Sequence, residues 1–330
     1  MIDIIGKCAL CTESKVLKKS YFFPKFIYRI ISRIKDPNTE KVLLKNDRNA
    51  NPLFFEIKKI LLCGDCEGKL NSCGENHLAR LLSPTDNFIS KLLMIYAQNL
   101  VRRELSYTNE LVDIDNDKLF YFATSIFWRA TFDWYGYESV KFDQGIMKEM
   151  TDLLLYNINP KSYLILSFPL YLFEQYYMIF PKKYTRKDIF NGDFFYFTIF
   201  GSCFVLMKKD VVNRYINSNI KDSDKVYHIF SDVLQIGIMK EFLFYYKRKN
   251  KNSEGKYKVN LSWIEKYLYS NFDNIFGKYS LCDDIRNLID IEGKYKYFYF
   301  LSKTGDIRYW RCYIRFESIR NISYKFTVVD

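Results

Sequence analysis

Cys8-Ala9-Leu10-Cys11 and Cys63-Gly64-Asp65-Cys66-Glu67 bracket the N-terminal part of the chain. Each Cys-x-x-Cys pair makes a tight knuckle whose two thiolates reach one metal ion. Two such pairs supply the four sulfurs of a tetrahedral zinc site. The other four cysteines, Cys73, Cys203, Cys282 and Cys312, show no such pairing in sequence. Cys8, Cys11, Cys63 and Cys66 are therefore the expected ligands of a structural Zn2+. Lys7 and Lys15 flank the first pair and would offset the negative charge of four thiolates.

Between the pairs, Val16 to Pro24 reads as a short strand ending at a proline suited to a first helical turn. The helix continues through Ile34, with Phe26, Ile27, Ile30 and Ile34 on one face. Lys25, Arg29 and Arg33 recur every fourth residue on another face. That basic stripe either tracks phosphates or is a solvated helix face. Residues 36–52 are polar and read as a loop, and Leu53 to Leu62 reads as a strand or hairpin that delivers Cys63 and Cys66. Glu67 then opens a helix to about Leu82, whose N-terminal dipole favours thiolates. A carboxylate in a first helical turn is also favoured by that dipole whatever else it does. Cys73 and His77 stand one turn apart on this helix, as packing residues or as half of a second metal site.

Downstream, Asp86 to Leu105, Asn116 to Trp134 and Gln144 to Tyr156 read as helices. The middle one is apolar nearly all round, which marks it as buried. Arg129 inside it requires a carboxylate or carbonyl partner. After Asn159-Pro160 the pattern shifts to strands at Tyr163 to Leu166, Phe194 to Phe200 and Ser202 to Lys208, with Gly201 at a bend. Lys209 to Asn217, Val226 to Lys247 and Leu261 to Phe272 read as helices. The charged run Lys247 to Lys258 is either an exposed linker or a phosphate contact. Three strand candidates follow Lys294, with Lys303-Thr304-Gly305-Asp306 as a hairpin turn. The expected fold class is α+β: a zinc module over residues 1–83, then residues 84–330, helical to 158 and mixed strand and helix from 159.

The net charge is +12. Residues 1–105 carry 18 Lys and Arg against 11 Asp and Glu, the denser share of that excess. This matches a polyanionic partner, or equally a charge that serves solubility. The aromatic content of 18% is not evidence for base stacking, because an AT-rich coding sequence produces it as readily. The opening residues do not read as a secretory signal. The longest apolar run, Phe194 to Met207, is short for a membrane span and reads as buried strand. Metal-type cysteine spacing without a disulfide framework fits a reducing cytoplasm and no membrane association.

Cys-x-Leu-Cys, then Ser20-Tyr21-Phe22-Phe23-Pro24-Lys25-Phe26, then Leu61-Leu62-Cys63-x-x-Cys66-Glu67 resembles the zinc-bound HNH (ββα-metal) fold, and more closely a group of bacterial HNH-like zinc proteins. The resemblance extends through Ser125-Ile126-Phe127-Trp128-Arg129-Ala130 and the hairpin Phe197 to Val205, over about residues 1–210. It implies a first-strand histidine as general base and a helix residue that holds Mg2+. This chain has Tyr21 at the base position, and a phenol with a pKa near 10 is a poor base at neutral pH. Glu67 falls near the metal-holding position, and His77 and His228 are the only histidines.

Two functions follow from these residues. The first is a zinc-containing, non-catalytic protein that binds nucleic acid or an acidic protein surface through Lys18, Lys19, Lys25, Arg29 and Arg33. The resemblance adds an anti-phage defence role to this reading. The second is a Mg2+-dependent nuclease with Glu67 as ligand and a displaced base such as His77, Tyr21 standing at the motif's own base position. A structural subunit of a protein complex is a further reading.

Overall fold

A computed structural model of the protein describes residues 3–33, 43–45, 50–52, 56–83, 90–93, 95–96, 107–135, 137–169, 177–186, 192–216, 220–221, 223–229, 279–280, 300–302, 307–317 and 321–329. The fold is α+β with a cysteine cluster at its N-terminal end. The chain forms two compact units, residues 1–99 with 103–230 and residues 100–102 with 231–330.

The first unit begins with a three-stranded antiparallel sheet of β1 (Ile5–Lys7), β2 (Ser14–Tyr21) and β5 (Lys58–Cys63), in the order β1-β2-β5. A bulge between Lys18 and Lys19 breaks the alternation of β2, so both lysines are exposed while Ser20 turns fully inward. Helix α1 (Lys25–Arg33) follows β2 and buries Ile27, Tyr28 and Ile30. After β5 come α2 (Gly64–Leu70), a π-helical turn (Asn71–Glu75) and α3 (Asn76–Leu82), with α-helical backbone at both junctions.

An eight-stranded sheet fills the rest of this unit. Its strands are β3 (Leu43–Lys45), β4 (Ala50–Pro52), β6 (Tyr107–Thr108), β7 (Tyr163–Pro169), β8 (Tyr177–Arg186), β9 (Gly192–Ile199), β10 (Ser202–Lys208) and β11 (Val226–Ile229), ordered β4-β3-β8-β9-β10-β7-β11-β6. All its pairs are antiparallel except β3 with β8 and β7 with β11. β7 is buried along its whole length and β10 up to its last residue, in keeping with their largely apolar sequences. Phe200 (φ 46°) and Gly201 (φ 74°) form the two-residue turn between β9 and β10, where positive φ at both positions matches the strand twist.

Helix α4 (Asn116–Arg129) packs against this sheet, with Phe120 on Tyr163, Phe122 on Phe204 and Phe127 on Phe197. Every residue from Leu119 to Arg129 is buried. The Asp115 carboxylate caps it by accepting from Lys118 N, and Asp143 caps α5 (Gln144–Tyr156) by accepting from Ile146 N. Helix α6 (Lys209–Ile216) follows β10.

Several sequence expectations change. The helix from Asn116 stops at Arg129 instead of Trp134. There Thr131 N and Phe132 N turn back to Trp128 O and Arg129 O, and the Trp134 indole N–H donates to Arg129 O at 2.7 Å. Val226 to Ile229 is a buried strand parallel to β7, not the start of a helix, as its β-branched and aromatic residues prefer. The loop expected over 36–52 contains the β3–β4 hairpin on the sheet edge. β8 has no clear strand pattern in the sequence, because Pro181, Lys182 and Lys183 interrupt its apolar run. Of the expected helix from Asp86 to Leu105, residues 91–93 and 95–96 are helical and most others lie outside the described residues. The expected segments Lys247 to Lys258 and Leu261 to Phe272 also lie outside them.

The second unit contains a four-stranded antiparallel sheet of β12 (Tyr279–Ser280), β13 (Phe300–Ser302), β14 (Ile307–Glu317) and β15 (Asn321–Val329), in chain order. β13 and β14 pair across residues 303–306, the position expected for a hairpin turn. Among the described residues, no helix is long and apolar enough to cross a membrane.

Candidate metal centre and its neighbouring polar cluster

Cys8 and Cys11 sit on the turn between β1 and β2. Thr12 adopts a left-handed conformation (φ 63°), and its N–H returns to Cys8 O at 2.9 Å to close the knuckle. Cys63 ends β5, and Cys66 lies in the first turn of α2. The pairing of Leu17 with Cys63 and the hydrogen bond from Ala9 N to Leu61 O bring the knuckles together.

The four Sγ atoms lie within 4.8 Å of one another, and Cys11 Sγ is 3.9 Å from Cys63 Sγ. Four sulfurs at about 2.3 Å from a tetrahedral ion stand roughly 3.8 Å apart, so this donor set fits a metal such as zinc. Cys8, Cys63 and Cys66 are buried and Cys11 is partly exposed.

Electrostatics support the same conclusion. Burial pushes the Cys8 thiol up, but the backbone N–H groups of Cys63, Cys11 and Leu10 outweigh it and bring its pKa down to about 7. Cys63 N is 3.3 Å from Cys8 Sγ. The Cys66 thiol is pushed well up by burial and by its cysteine neighbours. One thiolate is thus favoured by the backbone, and a bound cation would be needed to ionise all four together. Lys15, expected to balance the thiolates, instead pairs with Glu13 and Asp65 at 2.7 and 2.9 Å.

Behind the second knuckle lies a polar cluster. Ser20 Oγ, fully buried, accepts from Leu62 N at 3.2 Å. Burial raises the pKa of Glu67, opposed by the Arg129 charge and by the Ser20 hydroxyl. The Arg129 side chain, 1% exposed, donates from Nη2 to Glu75 Oε1 at 2.5 Å and from Nη1 to Ser125 Oγ at 3.5 Å. Arg129 thus has the carboxylate partner its burial demands.

The π turn brings Glu75 round to the face of the helical run that carries Glu67. Asn76 N–H reaches back five residues to Asn71 O. On a regular helix, residues eight apart stand about 80° apart around the axis. The extra residue of a π turn removes about 100°, which aligns Glu75 with Glu67 to within about 20°. Glu75 has no sequence signature here because the π turn has none, and Ser20 has none because its inward direction is set by the β2 bulge.

The other expected site residues lie elsewhere. The Tyr21 hydroxyl donates to Glu56 Oε2 at 3.4 Å, and its ring packs on Tyr28 and under Lys25 Nζ, 5.9 Å from the ring centroid. His77 is buried on α3, where Nε2 accepts from Asp115 N at 3.3 Å. Burial lowers its pKa, partly countered by Asp115. Cys73, one turn before His77, is partly exposed and belongs to no metal-binding group among the described residues. Lys18, Lys19, Lys25 and Arg29 are all exposed, with the Lys18 Cε beside Gly64 at the second knuckle. The Arg33 side chain lies outside the described residues. Comparison of the chain with protein families, curated proteins and solved structures gives no significant match.

Proposed function

We propose that the chain is a zinc-stapled, HNH-like protein that binds nucleic acid without cutting it. The carrying observation is the environment of Tyr21. At the place of the expected general base stands a phenol held against Glu56 and Tyr28. Around it lie cations: Lys19 two residues before on β2, Lys25 over the ring, and Arg29 one helical turn beyond Lys25. Antiparallel strands β2 and β5 followed by α2, with cysteines at the strand ends, agree with a ββα-metal arrangement. Zinc is the metal that this all-thiolate set suits best. By analogy with the HNH-like group, the protein works in anti-phage defence in the cytoplasm.

The nuclease reading has less support. It asks His77 and Glu67 to act on one phosphate. They are ten residues apart along one helical run, about 15 Å by helical rise. An acid–base group must be within hydrogen-bond reach of the reacting proton.

Gel titration of the full chain onto labelled DNA and RNA, with Mg2+, Mn2+ or EDTA, tests the proposal. A shift without cleavage in every lane is the expected result. Metal-dependent cleavage abolished by Glu67→Ala would overturn it. Neither shift nor cleavage would point to a protein partner and the subunit reading.

A further inference from the structure

We infer that the outer edge of β1 is a docking edge for a second copy of this chain, which pairs antiparallel with it across a two-fold axis at Ile5. The inference goes beyond the nucleic-acid reading and does not depend on it.

β1 ends the order β1-β2-β5, so among the described residues one of its edges has no strand beside it. The inner edge is satisfied: Ile4 O accepts from Leu17 N at 2.8 Å, and Cys8 N donates to Glu13 O at 2.9 Å. Backbone groups alternate sides along an antiparallel strand. Ile4, Gly6 and Cys8 therefore face β2, and Ile5 and Lys7 turn their N–H and C=O groups outward. The side chains leave this edge apolar, with Ile5 72% exposed and Ile4 47%. An edge with free backbone groups and apolar side chains is a template for another strand unless something covers it.

Charge decides the occupant. In Asp3-Ile4-Ile5-Gly6-Lys7 the two charged residues stand two positions either side of Ile5. Both are exposed, and neither has an ion-pair partner among the described residues. Antiparallel pairing of two copies centred on Ile5 places each Asp3 opposite the other copy's Lys7, an isologous contact with two opposite-charge pairs. It sets Ile5 against Ile5 and Ile4 against Gly6. Leu17 leans over Gly6, its Cδ1 3.0 Å from where a Cβ would stand, so the incoming Ile4 meets apolar surface there. Two three-stranded sheets then become one of six strands. So short an edge covers less than the roughly 1,600 Å2 of a standard interface, and a weak, concentration-dependent dimer is expected.

Sedimentation velocity of the full-length, zinc-loaded protein from about 1 to 100 μM tests this. A monomer–dimer equilibrium is expected. Ile5→Pro removes an outward N–H without touching the bonds to β2, a change that a strand edge tolerates, and should leave a monomer with unchanged metal content. Asp3→Lys should weaken dimerisation about tenfold or more, and Lys7→Asp added to it should restore it. A protein that stays monomeric over the whole range overturns the inference. So does a dimer that survives Ile5→Pro, or one that Asp3→Lys leaves unchanged, because that association uses another surface. If Ile5→Pro does not fold, loss with Asp3→Lys and recovery in the double variant supports the inference, and failure to recover overturns it. Nucleic-acid shifts measured on the same variants report separately on the binding reading.

Discussion

At the scale of single residues, the cysteine quartet is where chemistry and stability meet. Three of its sulfurs are buried within a few ångströms of one another, an arrangement that four neutral thiols do not require and a bound cation does. Cys8→Ser and Cys66→Ser are each expected to lose the bound metal and cost several kcal/mol of stability, because metal binding at such a site is part of the folding free energy. Metal content by atomic absorption and denaturant midpoints check both. His77 provides a pH test. Burial lowers its folded-state pKa, so the unfolded chain binds the proton more readily. Its contribution is present above the unfolded value near 6.5 and is lost as pH falls through the folded value. Urea midpoints at neutral and mildly acidic pH should therefore fall more for wild type than for His77→Gln. An equal fall would show that His77 has no such role.

At the scale of elements, the helical run from Gly64 to Leu82 owes its packing to an irregularity. The π turn aligns Glu75 with Glu67 and brings Gly74 against α4, where an added Cβ would lie 2.9 Å from Phe122 N and 3.1 Å from its Cα. Backbone atoms cannot move aside as a flexible side chain can. Gly74→Ala should push α4 from the π turn at a cost of about 1–3 kcal/mol, measurable by thermal unfolding. The Arg129–Glu75 pair should weaken with it. Strand β2 shows a second irregularity with consequences. Its bulge exposes two successive lysines where regular alternation would expose one.

At the scale of the whole first unit, the metal-binding end and the large sheet share one core. Phe22 and Phe23, which follow β2, pack on Phe180 of β8, and Phe22 also meets Trp134 and Tyr137. The basic surface of β2 and α1 is thereby held on a fixed support. If Lys18, Lys19, Lys25 and Arg29 contact phosphates, Lys→Glu and Arg→Glu changes there should weaken nucleic-acid binding. Each contact removed should also lower the slope of log K against log salt by about 0.7 for single strands or 0.9 for duplex. Fluorescence anisotropy across a salt series would measure this. An unchanged slope removes these residues from the interface.

Much of this was legible in the sequence because it depends on local spacing. The two Cys-x-x-Cys knuckles, α5 from Gln144 to Tyr156, and β10 from Ser202 to Lys208 follow from chain geometry over a few residues. So does the need of buried Arg129 for a partner. What tertiary structure alone decided was which distant groups meet. Glu75 became that partner through a π turn with no sequence signature. His77 received its hydrogen bond from Asp115 on a separate segment. Val226 to Ile229, whose residues favour a strand, received β7 as its parallel partner. Local propensity sets the backbone of each segment, whereas the neighbours of each side chain are set by long-range packing that short-range spacing does not encode.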